Sequence, residues 1–211
     1  MIFEDREDAG RKLANQLAEF ANRKDVLVLG IPRGGVTVAF EIAQSLHLPL
    51  DVFLSHKLGV PGQEELAFGA IAANGTRFLD RQAIQAAAIS PEQIERVTAE
   101  VRRTLDRRDV LYRGNRPPLR VVGQTVILVD DGIATGASTF AAIGALREMD
   151  PALLVLATPV APASTSAWLA GIVDRLVCIY APRDFNSVGQ FYRNFSQTTD
   201  DEVIALLRRA A

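Results

Sequence analysis

The sequence predicts an α/β fold built on a doubly wound, mostly parallel sheet. Strand-length apolar runs at residues 25–30, 125–129, 153–158 and 175–179 alternate with stretches of helical periodicity. Several runs are apolar at nearly every position, the pattern of strands covered on both faces by helices. The chain is long enough, at 211 residues and 48% hydrophobic content, for one well-buried domain with a small appendage.

The elements follow in order. Residues 5–22 space Leu13, Leu17 and Phe20 along one face, with Ala9, Ala14, Ala18 and Ala21 filling in, which predicts an amphipathic helix. Residues 25–30 form a buried strand and 35–46 the helix returning from it. A second strand is expected at 50–55, followed by a loop containing Gly and Pro from 58 to 65. Apolar runs around 67–72 and 77–79 flank Asn74-Gly75 and predict a hairpin. After an interruption, the strand at 125–129 leads to a helix at 138–149. Strands at 153–158 and 175–179 then flank an Ala-rich helix at 163–170. Residues 181–196 are Gly-containing and aromatic, with no helical or strand face. Asp200, Asp201 and Glu202 cap a terminal helix through Leu207. The expectation is a single domain over 1–211 that includes an insertion at 81–120 and an irregular cap at 181–199.

The insertion has its own start signal, Ser90 as N-cap and Pro91 as first helical residue. Ile94, Val97, Val101, Leu105 and Tyr112 fall on one stripe. Seven arginines lie between Arg102 and Arg120: Arg102, Arg103, Arg107, Arg108, Arg113, Arg116 and Arg120. Glu100, Asp106 and Asp109 are interleaved, as on a solvated helix face, which is the favoured reading; a basic lid or an RNA contact is the functional alternative. A net charge of −2 gives no bulk attraction to nucleic acid. No apolar stretch is long enough to span a bilayer. The opening residues are charged and acidic where a secretory signal would be basic and then apolar. Lone Cys178 lies in a strand-like run and reads as a buried small hydrophobe. The expected location is cytoplasmic.

Chemistry concentrates in one segment. The strand at 125–129 delivers two adjacent carboxylates, Asp130 and Asp131, then a short loop bounded by Gly132 and Gly136, to a helix start. Backbone N–H groups and the positive end of a helix dipole suit a phosphate there, while the carboxylates suit ribose hydroxyls or a hard cation. A triphosphate P-loop does not fit, since Gly132 and Gly136 enclose three residues and Ala137 follows. Taken locally, the same residues also describe a turn and an N-cap.

The segment VILVDDGIATGAST, residues 126–139, resembles the phosphoribosyl-pyrophosphate (PRPP) motif of the type I phosphoribosyltransferases. The resemblance implies that Asp130 and Asp131 bind the ribose hydroxyls and that Ala134, Thr135, Gly136, Ala137, Ser138 and Thr139 hold the 5-phosphate. It is closest to a poorly characterised bacterial branch. The segment Gly30-Ile-Pro-Arg-Gly-Gly-Val36 is similar to that family's pyrophosphate loop, in which the entering peptide is commonly strained or cis. Arg33, Gly34, Gly35 and Lys57 would then hold the leaving pyrophosphate. Residues 58–68 resemble the family's mobile loop, on which Glu64 or Glu65 is suited to accept a proton from a base nitrogen. His56 reads better as structural than as a base. Residues 181–199 stand where the family's hood forms the nucleobase pocket, with Phe185 to stack and Asn186 or Tyr192 to read an edge. Ala134 departs from the hypoxanthine-guanine branch, which carries an acid/base Asp there.

The resemblance implies transfer of a 5-phosphoribosyl group from PRPP to a nitrogenous base, a purine or pyrimidine, by a nucleotide-salvage glycosyltransferase. PRPP would bind as its Mg2+ complex, with Asp130 and Asp131 meeting the metal only through PRPP or water. Asp130, Asp131, Arg33, Lys57 and Glu65 are the expected catalytic set, and a homodimer the expected assembly. The rivals are a PRPP-sensing regulator using the same fold and a hydrolase of phosphorylated ribosides.

Overall fold

Each apolar run of the sequence becomes a strand, and their order fixes where the loops meet. The computed structural model describes residues 2–114 and 116–210, with every side chain among them except that of Glu65. In chain order the elements are α1 (Arg6–Gln16), β1 (Val26–Gly30), α2 (Gly34–Leu46), β2 (Leu50–Val52), β3 (Ser55–Val60), β4 (Gln63–Ala72) and β5 (Arg77–Leu79). Next come α3 (Arg81–Ala86), α4 (Pro91–Arg113), β6 (Thr125–Val129), α5 (Ala137–Arg147), β7 (Leu153–Val160), α6 (Ala163–Ala170), β8 (Arg175–Tyr180) and α7 (Asp200–Arg209). The chain gathers into two compact units, residues 1–53, 121–136 and 151–211 in one, and 54–120 with 137–150 in the other.

The first unit carries a five-stranded sheet in the order β2-β1-β6-β7-β8, every pairing parallel. All of β6 is buried, as its unbroken Val, Ile and Leu run requires of a central parallel strand. Helix α1 packs on α2, and both lie against strands of this sheet, with α7 against α2 and β2. Leu29, Ile42, Ile127 and Leu128 are fully buried, each worth about 1.5–3 kcal/mol against leaving it in water. Register pairs Gly30 with Val129, so the loops after β1 and β6 leave the sheet side by side.

The second unit holds the antiparallel sheet β3-β4-β5. Helix α5 lies against all three of its strands. There Phe140 meets Phe78 edge to face, 5.8 Å between centroids. Helix α4 starts with a full capping box, Ser90 and Gln93 each satisfying the other's backbone N–H. Its Arg102, Arg103, Arg107 and Arg108 are exposed, while Leu105 and Tyr112 are buried.

Three expectations are corrected. The strand at 50–55 divides: Phe53 and Leu54 are both buried, which breaks the alternation, and from Ser55 the chain pairs antiparallel with β4. The loop expected at 58–65, and the mobile loop at 58–68, is a hairpin turning at Pro61-Gly62, with Gly62 at φ +81°. Leu58 and Val60 are buried along its first strand. Proline before a glycine of positive φ is a turn signal that the sequence reading extended into a whole loop. Finally, α7 is capped by Thr199, through a capping box with Glu202, and Asp200 and Asp201 lie inside its first turn. The expected hairpin about Asn74-Gly75 is present as β4 and β5, and the segment 81–120 lies in the unit that also holds β3, β4, β5 and α5.

Candidate functional site

Asp130 and Asp131 follow directly on β6, and the loop Ile31-Pro32-Arg33 follows on neighbouring β1. Sheet hydrogen bonding carries past both strands, with Ile31 N donating to Val129 O at 2.9 Å and Asp130 N to Ala157 O at 3.2 Å. The peptide between Pro32 and Arg33 is cis. Gly34 and Gly35 then bring the start of α2 against the end of β6. A β-carbon on Gly34 would fall on the Asp131 carboxylate, 2.5 Å from its Cγ, and one on Gly35 would lie 2.7 Å from Val129 O. Only glycine admits this approach. The acidic pair and the Pro-Arg-Gly-Gly loop, assigned separately from the sequence, are thus in contact.

Asp131 has a partner that the sequence did not announce. Arg6, in the first turn of α1, donates from Nε to Asp131 Oδ2 at 2.7 Å, and the two side chains are 11% and 16% exposed. A further guanidinium nitrogen of Arg6 donates to Ser196 O at 2.6 Å, and its Cζ sits 4.0 Å from the centre of the Phe195 ring. Tyr192 is buried, and its hydroxyl donates to the Asp131 backbone carbonyl. Burial, and then the Asp131 charge, push that hydroxyl far above the ordinary tyrosine value, so it remains a donor. Arg6 was legible only as one polar position on an amphipathic helix; its partner is 125 residues away.

The segment after β8 forms an aromatic cap around the chain's start. Phe3 N donates to Phe191 O at 2.7 Å and Arg193 N to Phe3 O at 2.8 Å. Phe185 is half-buried, 5.3 Å from Phe191 centroid to centroid, and Asn186 is exposed, with its backbone N donating to Gln190 Oε1. Tyr192, expected to read a base edge, is turned with its hydroxyl onto the Asp131 backbone. Arg33 lies 3.7 Å from Asp200 Oδ1, both partly exposed.

The remaining sequence candidates divide between the units. Ala134, Thr135 and Gly136 belong to the first, where Thr165 Oγ1 donates to Ala134 O at 3.0 Å. Ala137 and Ser138 are exposed and Thr139 is buried, on the first turn of α5 in the second unit. Lys57 is half-buried on β3, and the exposed ring of His56 lies 2.8 Å from the carbonyl of Lys57. Glu65 lies on β4, and its side chain is outside those described. Among the described residues, no cluster of three or more His, Cys, Asp or Glu side chains could hold a metal, and no helix is long and apolar enough to cross a membrane.

The profile of the phosphoribosyl transferase domain matches residues 2–195, and the chain belongs to that family. Two Mycobacterium tuberculosis proteins provisionally named phosphoribosyl transferases, MT0597 and Rv0571c, are each 46% identical over 209 residues, which is 99% of this chain and 47% of theirs. The chain thus spans about half the length of these curated relatives. The crystal structure of TT1426 from Thermus thermophilus is 39% identical, covers all of both chains and superposes with a TM-score of 0.92. The structure of AQ2163 from Aquifex aeolicus, 12% identical with a TM-score of 0.50 over 87% of this chain and 78% of that one, shares the fold alone.

Proposed function

We propose that this chain transfers the 5-phosphoribosyl group of PRPP to a nitrogenous base, a purine or pyrimidine, with release of pyrophosphate. The observation that supports the reading is the contact between the Asp131 carboxylate and the Gly34-Gly35 loop; a carboxylate suits a diol, and a glycine loop at a helix start suits an anion. Asp130 and Asp131 accept hydrogen bonds from the ribose hydroxyls and orient the anomeric carbon. The loop opening at Ala134 takes the 5-phosphate on backbone N–H groups. Arg33 stabilises the charge that develops on the departing pyrophosphate. The C1–O bond to pyrophosphate breaks and its electron pair leaves with the pyrophosphate. A C1–N bond to the base forms, and the nitrogen's proton passes to water or to a carboxylate base.

Magnesium fits this donor set as a companion of the substrate. Two adjacent carboxylates, without a wider ligand cluster among the described residues, suit an ion held mainly by PRPP oxygens, which supplies charge neutralisation when bound. Phe185 offers a ring face for the base, with Asn186 beside it. A cytoplasmic location and a homodimeric assembly accompany this reading.

Incubating the protein with PRPP, magnesium and a panel of purine and pyrimidine bases, and following pyrophosphate release, tests the proposal. Release dependent on one base supports it. PRPP binding with no release for any base would assign the chain to PRPP sensing instead.

A further inference from the structure

We infer that Arg6 is a positioning residue of the ribose site, fixing the Asp131 carboxylate and neutralising its charge so that it receives a ribose hydroxyl in one orientation. The inference rests on the reading above, in which the acidic pair binds the ribose. Three independent holds fix the guanidinium: Nε on Asp131 Oδ2 at 2.7 Å, a further nitrogen on Ser196 O at 2.6 Å, and the face of Phe195 at 4.0 Å. Asp131 is fixed in turn from its backbone by the Tyr192 hydroxyl, and Tyr192 stacks on Phe195 with centroids 4.9 Å apart. The carboxylate therefore has little rotational freedom left to lose when substrate binds, which is how pre-organisation raises affinity.

Arg6 also answers an electrostatic problem. PRPP is a polyanion, and two adjacent carboxylates would repel it. Pairing one of them with a guanidinium lowers the local negative charge by one while leaving acceptor capacity on the carboxylate, which has about four lone-pair sites. Lysine would not substitute fully, because a single ammonium lacks the fork that reaches two acceptors while lying flat on a ring. A purely structural Arg6, tethering α1 to the cap, predicts a different pattern of losses.

The test measures binding of magnesium–PRPP and of magnesium–pyrophosphate, which lacks the ribose, to the wild type, Arg6→Gln and Arg6→Lys by calorimetry. Losing a charge-assisted bond predicts that PRPP binding weakens roughly 10- to 150-fold in Arg6→Gln. Arg6→Lys should recover part of that loss, and pyrophosphate, which feels the lost charge but not the lost orientation of the ribose acceptor, should weaken several-fold less than PRPP in Arg6→Gln and little in Arg6→Lys, which keeps the charge. Arg6→Lys carries the same test should the glutamine variant fail to fold. Unchanged PRPP affinity in both variants would overturn the inference, as would parallel losses for PRPP and pyrophosphate, which signify a tether. A wild type that binds no PRPP would instead overturn the phosphoribosyl reading on which the inference rests.

Discussion

Gly34 and the Asp131 carboxylate share one small volume: a β-carbon on Gly34 would lie 2.5 Å from Asp131 Cγ and 2.6 Å from Arg6 Nε. Replacing Gly34 by alanine must therefore push Asp131 away from Arg6. Separating a charge-assisted pair that is only 11% and 16% exposed leaves a carboxylate poorly solvated. Gly34→Ala is expected to weaken PRPP binding at least roughly tenfold and to lower the melting temperature. Calorimetry and a thermal melt check both, and wild-type PRPP affinity would show that the close approach has no role in binding.

The Tyr192 hydroxyl predicts a pH signature. Its folded-state pKa is raised, by burial and then by Asp131, so its contribution to stability is complete below the unfolded tyrosine value of about 10 and declines as pH rises above it. At neutral pH, Tyr192→Phe should cost about 1–2 kcal/mol, since a buried carbonyl loses its donor. That corresponds to a fall of roughly 2–8 °C in melting temperature for a domain of this size. Above pH 10 the gap between wild type and variant should narrow. A gap that stays constant or widens in thermal melts from pH 7 to 11 would contradict the role given to this hydroxyl.

Most of the first unit was legible because its strands are continuous apolar runs bounded by polar or glycine residues. β6 falls on the expected 125–129, and α6 on 163–170. The β3–β4 hairpin was not legible, because Gly59, Pro61 and Gly62 punctuate a strand pair in the way they would punctuate a loop. Of the candidate site, both loops were legible as motifs, since each is a local run of residues. The hold of Arg6 on Asp131 was not, because a pairing across 125 residues leaves no periodicity and no spacing to read. Tyr192 was singled out as a reader of a base edge; the bond from its hydroxyl to the Asp131 carbonyl, 61 residues away, left no mark in the sequence.

The arginine face of α4 is expected to be solvated. Arg102, Arg103, Arg107 and Arg108 are exposed, and Asp106 lies 4.0 Å from Arg102. Exposed pairs of this kind contribute little. Replacing Arg102, Arg103 and Arg107 with Gln should leave PRPP-dependent activity and the melting temperature nearly unchanged. No salt-sensitive RNA binding should be detected near physiological ionic strength. A tight complex with single-stranded RNA, weakening with a log–log salt slope of about −0.7 per phosphate, would contradict this and favour a regulatory role.

Phe185 tests where the base sits. It is half-buried at the edge of the aromatic cap, packed on Phe191. Losing a base–aromatic stack costs about 1–3 kcal/mol, so Phe185→Ala should raise KM for the accepted base roughly 5- to 150-fold. The KM for PRPP should hold, because its phosphates and hydroxyls bind elsewhere. Equal rises for both substrates would indicate damage to the cap rather than loss of a stack. No change in either would move the base away from Phe185.

The most direct measurement of the central claim is calorimetric titration of magnesium–PRPP into the wild type and into the double variant Asp130→Asn with Asp131→Asn. The two carboxylates follow directly on one buried strand, and the Gly34-Gly35 loop meets both residues. The wild type should bind PRPP, and the double variant should show no binding while keeping a cooperative melt and the wild-type circular dichroism spectrum. Equal PRPP affinity in the two proteins would contradict the assignment of the acidic pair to the ribose.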